Sequence, residues 1–231
     1  MTRMLVHVEG QTEETFVNLV LAEHLIPSGY ISVGARRLGN PRQQRGGIRP
    51  WQAAKRDILR HLKQDPGAIA TTIVDYYGLP RDWPGRADAP NKNSASAKAT
   101  YVEDALHTDI AEEMGASFDT RRFVPLVMMH EFEAILFSDP NRFAHTVGRS
   151  DLAGAFLAIR NGFENPEEIN DSVETAPSKR IVRLFPHYEK VLLGVDAARK
   201  IGIPTIRQEC PHFNDWLSRL EALPTTFSTS T

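Results

Sequence analysis

Cysteine is almost absent, Cys210 being the single one in 231 residues. That excludes a disulfide within the chain and any cysteine-rich zinc site. No apolar run is long enough to cross a bilayer, and the short, charged N-terminus lacks a secretory apolar core, so a cytoplasmic protein without a membrane partner is expected. A large excess of charge is missing too, with 27 Lys and Arg against 29 Asp and Glu. Affinity for nucleic acid would then have to come from local clustering of charge. The hydrophobic share of 41% fills one large domain, or a core with an appended subdomain.

What the chain does have is alternation of strand and helix. The apolar run 4–8 reads as a buried strand and is followed by a helical pattern over about 13–25. A strand over 31–38, a helix over 51–63, a strand over 68–74, a helix over about 101–114 and a strongly apolar strand over 123–129 follow. A polar insertion with several prolines occupies 78–99. Residues 1–150 thus read as an α/β core with a mostly parallel sheet flanked by helices, 151–223 as a helical extension packed on it, and 224–231 as a disordered tail.

Three of these strands run directly into acids: Glu9 before Gly10, Asp75, and Glu131 with Glu133 two residues on. Parallel strands bring their carboxyl ends to one edge of a sheet, where open α/β folds bind ligands. Carboxylates gathered there repel one another unless a cation sits between them, and hard oxygen donors suit Mg²⁺ or Mn²⁺. Glu13, one helical turn beyond the first strand tip, can reach the same volume. The structural alternative is that Glu13 and Glu14 complement the positive end of the helix dipole, with Thr12 near the cap. His130 is open between ligand, base and hydrogen-bonding group at a strand end.

Charge does cluster locally. Arg36, Arg37, Arg42, Arg45, Arg49 and Lys55 fall in one stretch that begins as a Gly-rich basic loop and continues into a helix with its basic residues outward. Such a surface holds a phosphate backbone without reading bases, or is a solvated face balanced by acids elsewhere. Farther on, Pro177-Ser178-Lys179-Arg180 opens a helix, where backbone N–H groups and two cations suit a phosphate. For His212 a cap or buried hydrogen-bonding role is expected.

The segment Val8-Glu9-Gly10-Gln11-Thr12-Glu13 resembles the first motif of Toprim domains, and its acid four positions after the Glu is closer to the overcoming-lysogenization-defect nucleases. Together with Val74-Asp75-Tyr76-Tyr77-Gly78-Leu79-Pro80, His130-Glu131-Phe132-Glu133-Ala134, Glu174-Thr175-Ala176-Pro177-Ser178-Lys179-Arg180 and Cys210-Pro211-His212-Phe213, it resembles a bacterial Toprim-like family known only as a domain of unknown function. The resemblance implies a Toprim-type sheet and a divalent-metal site at Glu9, Glu13 and Asp75. It also implies work beside an ABC-type ATPase in anti-phage defence. Where the second Toprim motif has Asp-x-Asp, this chain has Asp75-Tyr76-Tyr77, so Glu131, Glu133 or Asp82 would have to substitute.

The expectation is therefore a Mg²⁺- or Mn²⁺-dependent nuclease. The ion is held by Glu9, Asp75 and Glu131, with Glu133 available, and Glu13 completes the shell or takes the proton. Lys179 stabilises transition-state charge, while Arg36, Arg37, Arg42, Arg45, Arg49, Lys55 and Arg180 hold nucleic acid. The alternative is a non-catalytic Toprim-like subunit that docks on an ATPase or senses nucleic acid. A homo-oligomer is left open.

Overall fold

The computed structural model describes residues 2–38, 48–169 and 175–228, with side chains as far as residue 224. The N-terminal apolar run forms β1 (Thr2–Val8), which pairs in parallel with β2 (Tyr30–Arg37) on one side and β3 (Ala68–Asp75) on the other. Two short strands, β4 (Phe123–Val124) and β5 (Val127–Met128), add in parallel to β3. The strand order is β2-β1-β3-β4, with β5 also on β3. Every residue of β3 is buried, as a strand covered on both faces requires.

A single last strand over 123–129 is not what forms. Pro125 has no N–H to give to a ladder, so the strand breaks around Pro125-Leu126. Two threonines of β3 serve the break: Thr71 Oγ1 donates to the carbonyl of Val124, and Thr72 Oγ1 donates to that of Leu126 at 3.0 Å. The Leu126 N–H donates back to Thr72 Oγ1 at 3.1 Å.

Helices cover both faces. From β1 the chain enters α1 (Gln11–Phe16), passes through a π-helical turn at Val17–Leu21 and continues as α2 (Ala22–Leu25). On the opposite face lie α3 (Trp51–Gln64) and α4 (Ala95–Met114), packed on Ala70 and Val74 of β3. The side chain of Ser94 accepts from the Ala97 N–H at 3.1 Å and so starts α4 at Ala95 rather than near 101. The insertion packs on this second face too, with Trp83 buried against Trp51 at 4.9 Å between ring centroids.

The remaining helices return to the first face: α5 (Pro140–Thr146), α6 (Ala153–Asn161), α7 (Pro177–Leu184), α8 (Val195–Ile201), α9 (Ile203–Glu209) and α10 (Pro211–Ser228). Their buried residues share one apolar layer with Phe16, Leu21 and the β1 residues Met4, Val6 and Val8. The last helix runs through Pro224, where a tail was expected, to Ser228. Proline offers no N–H to the carbonyl one turn back, and the buried Tyr30 hydroxyl donates to that Leu220 carbonyl at 2.7 Å.

Candidate functional site

Both central strands end at one edge, and β5 ends beside them. Glu9 follows β1 directly, its N–H still donating to the Ile73 carbonyl of β3 at 3.3 Å. Its Oε2 accepts from the backbone N–H of Asp75, the last residue of β3, at 3.4 Å. Glu13 lies in the first turn of α1, buried, and its Oε2 accepts from the Gly10 N–H at 3.0 Å. The two strand tips are therefore tied to each other through the backbone and the carboxylate of Glu9, while Glu13 holds the turn into α1.

Past β5 the chain turns sharply at His130, whose φ of 72° makes it the only non-glycine residue with positive φ among the described residues. A side chain in that region is strained, and such strain is retained where the surroundings impose it. The ring of His130 stacks on Tyr77 at 5.3 Å and 25°. After the turn, Glu131 Oε2 accepts from the Ser178 N–H at 2.9 Å, so a carboxylate already occupies the N-terminus of α7, where a phosphate was expected. Glu133 sits in the first turn of a 3₁₀ segment, Phe132–Ser138, and is fully buried.

The five acids form one electrostatic unit. Burial raises the Glu9 carboxyl above the usual range, with Glu13 adding to the effect. Burial drives Asp75 well above its ordinary value, against the opposing pull of Lys190 and with Glu13, Glu9 and Glu133 pushing the same way. Glu133 is pushed up to about 7, again mainly by burial. Three oxygens of this group, Asp75 Oδ1 and both of Glu133, are buried without a hydrogen-bond partner among the described residues, Glu133 Oε2 having only an ion pair with Lys190. No three His, Cys, Asp or Glu side chains there are already converged as a metal shell.

Lys190 carried no signal in the sequence, and it reaches into this cluster. Its Nζ lies 3.0 Å from Glu133 Oε2 and 4.0 Å from Asp75 Oδ2. It opens a π-helical turn, Lys190–Gly194, a geometry frequent at functional sites. The hydroxyl of Tyr188, two residues earlier, is buried without a partner among the described residues, and Glu133 and Glu131 act on it electrostatically. Lys179, by contrast, is exposed in the first turn of α7.

The basic residues separate. Arg36 and Arg37 close β2 in register with His7 and Val8, which puts them at the same sheet edge as Glu9. Arg36 is exposed, and Arg37 Nε lies 3.0 Å from Glu14. Arg42 and Arg45 lie outside the described residues. Arg49 lies 3.7 Å from Asp57. Lys55, expected on the outward face of its helix, is instead buried and paired with Asp109 at 2.9 Å and Glu113 at 3.3 Å. Its charge is used to hold α3 to α4. Arg180 donates to the Thr175 carbonyl at 2.7 Å and lies over Phe163.

The family described as "Domain of unknown function (DUF4276)" matches residues 8–221. The chain belongs to that family. Neither a curated protein nor a solved structure gave a match. The stretch shared with the family begins one residue before Glu9 and contains all five acids together with Tyr188 and Lys190. No helix among the described residues is long and apolar enough to cross a membrane.

Proposed function

We propose that the chain is a Toprim-type, divalent-metal-dependent nuclease that hydrolyses phosphodiester bonds. The observation that carries this reading is the gathering of Glu9, Asp75, Glu131 and Glu133 at one sheet edge, with Asp75 Oδ1 and Glu133 Oε1 buried and unpartnered among the described residues. A buried unpartnered carboxylate oxygen is costly, and a hard cation is the partner that an all-oxygen donor set suits. The donors fit Mg²⁺ or Mn²⁺.

Glu9, Asp75 and Glu131 would hold the ion, which when bound polarises a phosphate and lowers the pKa of a bound water. Glu133, buried in the cluster and paired with Lys190, is the carboxylate left to take the proton from the attacking water. Glu13 fixes the turn by accepting from Gly10, which keeps Glu9 at the strand tip. Arg36, exposed at this edge, faces the solvent from which a polyanion approaches. The reading includes a partner of the ABC ATPase type in anti-phage defence, as the resemblance implies.

One observation favours a second reading. Tyr77 stands where the second motif has its second acid, and a lysine already neutralises part of the cluster, as suits a non-catalytic subunit that docks on an ATPase or senses nucleic acid. Wild type and Glu9→Gln, each alone and reconstituted with an ATPase encoded beside it, separate the two. Metal-dependent cleavage of a DNA and RNA panel that Glu9→Gln abolishes, with folding and complex intact, supports the nuclease. Equal phage protection by both proteins, with the complex intact in both, overturns it.

A further inference from the structure

Within the carboxylate cluster one side chain is out of keeping with a cation site. Lys190 Nζ lies 3.0 Å from Glu133 and 4.0 Å from Asp75, so a positive charge already stands between acids contributed by the end of β3 and by the segment after β5. A single ammonium is a poor match for the demand around it. It has three N–H donors, whereas the cluster presents five carboxylates, and Asp75 Oδ1 and Glu133 Oε1 stay buried and unpartnered among the described residues. A monovalent ion therefore leaves both charge and lone pairs unmet where a hard divalent ion would meet more of each.

Lys190 also differs from its partners in freedom to move. Its side chain is 37% exposed, whereas those of Asp75 and Glu133 are 11% and 0% exposed. Asp75 is the last residue of a fully buried strand, and Glu133 is enclosed in the 3₁₀ segment. Lys190 stands at the start of a π-helical turn, preceded by extended backbone at Glu189. Its long stem can swing toward solvent while the carboxylates stay where the sheet puts them.

We infer that Lys190 is a resident counter-ion of this site and that a divalent cation exchanges with it, freeing its ammonium at the rim of the cluster. The inference rests on the metal-dependent reading above and adds to it a route between two states. In the metal-free state the lysine holds the acids together and blocks the cation's place. In the loaded state the same ammonium is released beside the bound phosphate, the role expected of Lys179 from the sequence.

The test uses the whole wild-type chain and Mg²⁺ alone. Calorimetry follows binding, and an amine-acetylating ester followed by mass spectrometry reports the reactivity of Lys190, with exposed Lys63 as internal reference. Exchange predicts that Mg²⁺ raises Lys190 acetylation several-fold while Lys63 is unchanged. It also predicts that Lys190→Met binds Mg²⁺ at least about tenfold more tightly, since a competing charge has gone. If wild type binds Mg²⁺ and Lys190 reactivity does not rise, the exchange is overturned and the metal reading stands. Binding by Lys190→Met alone would overturn exchange too, since the lysine would then close the site of the wild-type chain to the cation. If neither protein binds Mg²⁺ or Mn²⁺, the metal reading falls and the exchange with it.

Discussion

Gly78 and the Glu9 carboxylate approach so closely that a Cβ on Gly78 would stand 2.6 Å from Oε2 and 2.8 Å from Oε1. Gly78 ends the short 3₁₀ turn after β3, so this contact sets how near the turn can lie to the β1 tip. Glycine is needed there for approach of the backbone to an acid, not for an unusual φ.

Gly78→Ala should therefore displace the Glu9 carboxylate and lower Mn²⁺ affinity at least about tenfold, with only a small loss of stability. Gly34→Ala serves as the control, because a Cβ there meets nothing within 4 Å. Mn²⁺-dependent shifts in melting temperature read both variants. An equal shift in Gly78→Ala and wild type would place the ion away from Glu9.

Exposed Arg36 and buried Lys55 come from the same basic stretch and should behave differently. Arg36→Ala should weaken nucleic-acid binding for all sequences alike and reduce its salt dependence by about one unit of slope, with stability unchanged. Lys55→Met should leave that slope as in wild type. It removes the partner of Asp109 and Glu113, so the expected change is in melting temperature. Salt titrations by fluorescence anisotropy, run beside thermal melts, separate the two.

His212 Nε2 lies 2.8 Å from Glu103 Oε1, in a pair that ties α10 to α4. Burial lowers the imidazole pKa, but the Glu103 hydrogen bond and charge outweigh it, with Glu167 and Asp215 adding to the effect, and the net shift is upward. A raised folded-state value means that the protonated histidine stabilises the fold in full below its unfolded pKa, near 6.5, and that this contribution is lost as pH rises through the folded value. The melting temperature of wild type should fall over that window by more than that of His212→Gln. Parallel pH profiles would show that the pair titrates elsewhere.

Tyr30 and Pro224 form a matched pair across the first apolar layer. Tyr30→Phe leaves the buried Leu220 carbonyl without its 2.7 Å donor, and proline at 224 has no N–H to replace it. The expected cost is about 1–3 kcal/mol, read as a lower midpoint in chemical denaturation. In a Pro224→Ala background the helix supplies its own N–H, and the cost of Tyr30→Phe should shrink. Additive effects in the double-mutant cycle would show that the two residues do not share that carbonyl.

Part of the candidate carboxylate cluster could be read directly from the chain, for a local reason. A buried parallel strand is a run of apolar residues, and the residue after the run lies at the carboxyl edge wherever the strand sits in the sheet. Glu9 and Asp75 needed only that rule, and Glu13 needed helical spacing besides, whereas Glu131 lies past the turn at His130; the alternating strand and helix pattern gave the α/β class. The broken last strand was written as Pro125, although only the sheet showed that Thr71 and Thr72 serve the break.

What tertiary structure alone decided is which charges meet. Lys55 and Lys190 each occur among 27 Lys and Arg with no periodic or motif signal to set them apart. Helical spacing turned Lys55 outward, but the long stem reaches Asp109 and Glu113 on a helix that the sequence could not place beside it. Lys190 meets Asp75 and Glu133 only because the C-terminal helices fold back onto the face of the sheet that carries α1. Local pattern fixes where a residue stands along its own strand or helix, whereas an ion pair depends on two distant segments being brought together, and that is settled by packing.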